Sequence, residues 1–389
     1  ITSNTKPVIS GSAASSGDTI TVTVPGGEVL TTTVAANGTW SVTPTVALDA
    51  GETDLSITAT DAAGNVSVAT VLTVDVDASA PSAPAAVLDV SADTGVSGDG
   101  LTNNTKPMIS GSTATSGDTI TVTVSGGEVL TATVAANGTW AVTPTIAWDA
   151  GETEMSITAT DAAGNVSAAT TLTVEVDTTA SSAPLAVLDV SADTGVTGDG
   201  ITSNTKPVIS GSAATSGDTI TVTVPGGEVL TATVAANGTW SVTPTVALDA
   251  GETDLSITAT DPAGNVSAAT TLTVEIDLTA PSAPGAVLDV SADTGVLGDG
   301  ITNNAKPTIS GSAATSGDTI TVTVPGGEVL TTTVAANGTW AVTPTVALDA
   351  GETELSITAT DPAGNVSAAT SLTVELDATQ PLVAIDAAA

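Results

Sequence analysis

The chain has 389 residues, with 42 carboxylates set against four lysines and a formal net charge of -38. It contains no cysteine and no histidine. Disulfides, zinc–thiolate sites and thiol nucleophiles are therefore excluded, and the commonest general base and transition-metal ligand are missing as well. So acidic a surface repels nucleic acid and anionic lipid and attracts cations. Oxygen ligands alone favour a hard ion such as calcium. No apolar run approaches the ~20 residues that cross a bilayer, so membrane insertion is not expected. No signal segment opens the chain. Its first residues already belong to a repeat, which reads as a piece of a longer protein.

The repeat is plain. Ile1-Thr-Ser-Asn-Thr-Lys-Pro7 returns from Leu101, Ile201 and Ile301, a period of 100 residues. A unit of that size can hold its own core, so the array is beads on a string. The joints follow Asp77-Ala-Ser-Ala-Pro81, Asp177-Thr-Thr-Ala-Ser181 and Asp277-Leu-Thr-Ala-Pro281, where proline ends a strand. Domains are expected at 78–177, 178–277 and 278–377. Residues 1–77 form a repeat lacking its first strand, and 378–389 start a further one.

Within the repeat that follows Asp77, the pattern is all strand. A first strand spans 86–90, and a long loop runs from Ser91 to Asn104. A second strand spans 107–111. The third, Thr119-Ile-Thr-Val-Thr-Val124, turns Ile120, Val122 and Val124 inward and threonine outward. Ser125-Gly-Gly leads to a fourth over 128–134, and Asn137-Gly138 marks a tight turn. Trp140 and Val142 face inward on a fifth. Met155, Ile157 and Ala159 line a sixth. Asp161-Ala-Ala-Gly-Asn165 turns the chain, and Leu172, Val174 and Val176 close the seventh. Seven short alternating strands predict an all-β chain, a tandem array of four immunoglobulin-like seven-stranded β-sandwich domains forming an extended rod. The recurring Trp40, Trp140, Trp240 and Trp340 read as core residues. Trp148, where the other copies carry leucine, reads as an apolar variant.

Alternate loops lie at opposite ends of such a sandwich. The first, third and fifth loops of one repeat then face the sixth loop of the next, and acids converge on each joint. One set is Asp77 with Asp161. The next is Asp93, Asp99 and Asp177 with Asp261, joined by Asp218 from a second loop. A third is Asp193, Asp199 and Asp277 with Asp361. The last repeat offers Asp293, Asp299 and Asp377, and the first offers Asp61. With no lysine there these charges repel, and calcium takes 6–8 oxygens at irregular geometry. The same residues have a plainer use. Asp in Asp-x-Ala-Gly-Asn can cap its own turn, and Asp-Thr-Gly and Asp-Gly are ordinary turn sequences. Glu28, Asp49, Glu52 and Asp54 read as solvated surface.

The string Ala-Pro-x-Ala-Val-Leu-Asp-Val-Ser-Ala-Asp-Thr-Gly, then Lys-Pro-x-Ile-Ser-Gly, Ala-Asn-Gly-Thr-Trp and Ala-Thr-Asp-x-Ala-Gly-Asn-Val-Ser, resembles the bacterial Ig-like repeats of giant surface adhesins of the RTX and biofilm-associated kinds. That resemblance covers nearly the whole chain. It implies an extracellular stalk on a bacterial surface, exported by type I secretion, with calcium stiffening the joints at Asp77, Asp161, Asp177, Asp261, Asp277 and Asp361. Ser181, where other linkers carry proline, implies a looser joint. Calcium ions and neighbouring repeats of the same chain are the expected partners, in a monomeric rod that carries a distal binding region for adhesion. The rival readings are a repeated module for glycan or host protein and homophilic contact between cells. An enzyme is not expected, because no catalytic constellation is present.

Overall fold

The structure is a computed structural model that describes residues 1–12, 14–212, 214–312 and 314–383. Among these residues all regular structure is strand, with no helix. The chain forms two compact units, 1–179 with 262–265, and 180–261 with 266–389.

In the second unit, the strand Thr219–Thr223 shows why the sandwich closes. Alternate residues of a strand point to opposite faces. Ile220 and Val222 are fully buried, whereas Thr223 stands exposed on the outer face. The strand pairs antiparallel with Val229–Thr233 on one side and Gly251–Thr260 on the other. Thr270–Ile276 adds to that last strand in the register Leu255↔Leu272. Ile201–Thr202 then joins Thr270–Ile276 in parallel. The facing sheet is Val187–Leu188, Ile209–Gly211 and Trp240–Val242. Between the sheets lie Ile209, Ile220, Val222, Trp240, Leu255, Ile257, Val274 and Ile276. The same arrangement recurs in the fourth repeat of this unit and in the second repeat, in the first unit.

Three sequence expectations are refined. Among the described residues each complete repeat has eight strands and not seven, because a two-residue strand (Leu101–Thr102, Ile201–Thr202, Ile301–Thr302) lies inside the segment expected to be loop. It forms because that threonine is buried and bonds back, Thr202 Oγ1–H to Ala192 O at 2.6 Å. In the first repeat the parallel pairing is the single bridge Thr2↔Val76. Of the expected further repeat at 378–389, residues 378–383 carry no regular element and 384–389 lie outside the described residues. Trp140, Trp240 and Trp340 are core residues at 4% exposure, and Trp148 fills the leucine position at 8%.

Each repeat places its single lysine in a latch. Lys206 Nζ donates to Thr245 O at 2.5 Å, and Glu228 Oε1 accepts the Thr245 N–H at 2.8 Å. The Thr245 hydroxyl, foremost, and the neighbouring amides hold the Glu228 carboxyl below its ordinary pKa. The latch pins the loop ahead of Gly251–Thr260, so Glu28 and its equivalents do more than solvate the surface.

Replacing Ile220 by alanine should destabilise the third repeat by about 2–5 kcal/mol through a cavity. Thr223→Ala, on the outer face, should stay within about 0.5 kcal/mol. Urea unfolding followed by tryptophan fluorescence should show an early transition for the first variant only.

Candidate functional site

The turn Asp361-Pro-Ala-Gly-Asn365 builds one side of the joint in the second unit. Asp361 Oδ1 accepts the Asn365 N–H at 2.8 Å, and Oδ2 accepts Asn365 Nδ2–H at 3.0 Å. Gly364 supplies the positive φ of 87° that the turn needs. The other hydrogen of Asn365 Nδ2 goes to the carbonyl of Asp277, at 2.8 Å. Thr370 Oγ1–H binds Pro284 O in the same linker at 2.7 Å. The first unit repeats the pattern, with Asn165 Nδ2 on Asp77 O and Asn265 Nδ2 on Asp177 O, both at 2.8 Å.

The other side of the joint is the loop from Asp193 to Gly200. Asp193 Oδ2 accepts the Gly198 N–H, and Asp199 Oδ1 accepts the Ile201 N–H at 3.0 Å. The loop thereby presents Thr194, Gly195 and Val196. Thr194 Oγ1–H donates to Ala363 O at 2.5 Å, and the Val196 N–H to Pro362 O at 2.8 Å. Gly195 lies so close that a Cβ would sit 2.1 Å from Pro362 O and 2.5 Å from Gly364 N. In the first unit Thr94, Gly95 and Val96 make the same contacts with Pro262–Gly264, where a Gly95 Cβ would sit 2.0 Å from Pro262 O. This is the end-to-end arrangement of first and sixth loops that strand counting leads one to expect. Sequence reading treated these glycines as turn residues. The extra signal available was the constant Thr-Gly-Val after Asp93, Asp193 and Asp293.

The predicted aspartates are all placed. Asp77, Asp177, Asp277 and Asp377 each accept the N–H two residues on, at 2.8–3.0 Å. Asp61 and Asp161 each accept two backbone amides and the side chain of Asn65 or Asn165. Asp99 and Asp299 accept the amides of Leu101 and Ile301. Asp93 and Asp293 hold their loops as Asp193 does. Asp261 is buried.

The chain matches the description "bacterial Ig-like domain" four times, over residues 1–78, 80–178, 180–278 and 279–378. It belongs to that family. Comparison with curated proteins gave no match. Among solved structures it is similar to a tetra-tandem repeat from the extending region of a large adhesion protein, 24% identical over 96% of each chain with a TM-score of 0.31. Another is a Ca2+-stabilized adhesin that helps an Antarctic bacterium reach out and bind ice, 30% identical over 96% of this chain and 95% of that one, TM-score 0.32. A third is a 1.5-MDa bacterial ice-binding adhesin, 24% identical over 76% of this chain and 99% of that one, TM-score 0.31.

The joints of these Ig-like repeats were tested for their fit to a cation. Among the described residues no group of three or more carboxylates is gathered closely enough to hold a metal. A pair is. Asp118 and Asp318, from the second loops, are 5% and 2% exposed, and each leaves Oδ2 buried without a hydrogen-bond partner. Burial, and after it the charge of Asp161, pushes the Asp118 carboxyl above its ordinary pKa. Burial is also the main cause at Asp318, with Asp361 adding to it. Asp161 itself is held low, first by the Asn165 side chain. A buried carboxylate oxygen without a donor is costly, and beside a second carboxylate it fits a hard cation completed by carbonyls and water. Sequence reading named Asp218 for this role and passed over Asp118 and Asp318, whose burial comes from the fold around them.

Gly195→Ala should undock Val196 from Pro362 and raise hydrogen exchange at the Val196 amide, with the sheets unaffected. Gly295→Ala is the control. Its φ of 89° carries the same backbone strain, yet a Cβ there meets nothing within 4 Å. Equal effects of the two substitutions would mean that strain, and not docking, matters.

Proposed function

We propose that this chain is an extender segment of a bacterial surface adhesin, and that calcium at the joints between its repeats stiffens it. One observation carries the reading: a buried carboxylate whose Oδ2 has no hydrogen-bond partner, beside a second carboxylate at a joint, Asp318 with Asp361 and Asp118 with Asp161. The lysines are no counter-ions there, because each is committed to its latch. In the second unit Asp318 and Asp361 would supply the charge for the ion, and in the first Asp118 and Asp161, with carbonyl oxygens and water as the remaining ligands. The linker residues Asp277 and Asp77 lie on the same joints through their carbonyls. Asp177 and Asp261 are further candidates, each taken within its own unit. Asp93, Asp99, Asp193 and Asp199 are outer candidates, and Asp61, Asp293, Asp299 and Asp377 are the equivalents on the first and last repeats.

When bound, calcium neutralises the joint, so that the geometry with the loops docked is favoured over the others. An affinity on the order of 10⁻⁴ to 10⁻³ M is sufficient outside the cell. Tandem units of one family, an acidic surface and the absence of cysteine suit an exported stalk, for which we propose type I secretion, repeats bounded at 78–177, 178–277 and 278–377, and a distal region that does the binding. No helix among the described residues is long and apolar enough to cross a membrane.

Small-angle scattering with calcium and then with chelator tests the reading. The maximum dimension should grow with calcium, and an unchanged value would overturn it. Asp318→Asn separates the terms further. A carboxyl whose pKa is raised by folding binds more protons folded than unfolded, so stability falls as pH rises from the ordinary carboxylate range through the raised value. The asparagine variant should therefore melt higher than the parent in chelator at pH 7, and lose the rise in melting temperature that calcium gives the parent.

A further inference from the structure

The first strand of each complete repeat differs in kind from the rest. In the third repeat Val187–Leu188 is two residues long and lies at the edge of the smaller sheet. Its backbone attachment is the ladder Val187↔Ser210 and Leu188↔Ile209, the Asp189 N–H on Val208 O at 2.9 Å, and the Thr270 hydroxyl on Pro184 O at 2.7 Å. Of its side chains, Leu188 reaches the core, Ala186 packs against that core, and the Asp189 carboxylate accepts a bond from Ser210. Val187 is 55% exposed. The segment passes close to Gly211, where a Cβ would sit 2.0 Å from Leu185 O and 2.5 Å from the Trp240 ring, itself 4% exposed.

Downstream of it lies a firmer anchor. Ile201–Thr202 pairs in parallel with the last strand, the Asp277 N–H donates to Thr202 O at 3.0 Å, and Thr202 is 0% exposed.

We propose that residues 181–190, and the equivalent 81–90 and 281–290, form a releasable strap that opens while the rest of the repeat stays folded. Opening bares the Ile209–Gly211 edge and Trp240. The parallel anchor holds, so tension entering from the preceding linker meets the strap before it meets the core. Residues 181–190 would then pay out up to roughly 35 Å of chain before the docked loop and the larger sheet are loaded. This goes beyond the stalk reading and does not depend on any ion at the joints.

Hydrogen exchange on the whole chain, in chelator and in calcium, tests it. Amides of 185–190 and 285–290 should exchange roughly 100-fold faster than those of 253–260 and 353–360, as local opening requires. Equal protection of the two sets would overturn the proposal, because the strap would then open only with the whole repeat. Thr270→Val, which removes the hydroxyl bond to Pro184 O, should speed exchange of 185–190 at least about tenfold while 253–260 is unchanged. Parallel loss of protection in 253–260 would also overturn it. If that variant does not fold, the comparison within the unmodified chain decides alone.

Discussion

Every group of Asp277 is engaged, and the joint in the second unit depends on it. Its N–H bonds to Thr202 O in its own repeat, and its carbonyl takes the Asn365 side chain of the next. Its carboxylate caps the Thr279 N–H. One linker residue therefore fixes the end of one sheet, the sixth loop of the following repeat and the direction of the chain between them. Asn365 has no freedom in this. Its two Nδ2 hydrogens are divided between Asp277 O and Asp361 Oδ2, and an aspartate in its place would offer no donor.

Given that stitch, charge is the remaining question. Interactions between exposed charges fade beyond about 8 Å at physiological salt, so most of the acidity only keeps copies apart in solution. The carboxylates at a joint are different because fold and neighbour remove their water. Asp118 and Asp318 show this, since burial raises them even before the second carboxylate is considered. Asp18 has the same place in the first repeat, yet it is only half-buried and its Oδ2 accepts the Ser15 N–H. The difference between Asp18 and Asp118 is a matter of what covers them, which is why the acidic character of a joint belongs to a pair of repeats and not to one.

Much of this was legible in the sequence, for identifiable reasons. Alternation in Thr219–Thr223 and its equivalents reports directly which side chains meet the core, so the sandwich and the inward tryptophan follow from it. The short strand Ile201–Thr202 did not show, because two residues carry no period and its cause is a threonine buried by partners far along the chain. Gly95 and Gly195 were visible as glycines but not as points of contact. A backbone that must approach another backbone leaves the same letter as a backbone that must turn. The linker and sixth-loop aspartates were found by topology, and the buried second-loop pair was missed except at Asp218, since burial of a polar residue has no sequence signature.

The order of features along the chain separates two properties that a stalk needs. The strap comes first, the anchor Ile201–Thr202 next, and the joint residue Asp277 bonds to that anchor and not to the strap. A repeat that loses its first strand therefore keeps the hydrogen bonds that hold the next repeat. The first unit makes the same stitch, with the Asp77 N–H on Thr2 O at 3.0 Å and Asp77 O accepting the Asn165 side chain. Compliance within a repeat and fixity between repeats thus reside in different hydrogen bonds, separated by the ten-residue loop whose Thr-Gly-Val tip docks on the neighbour.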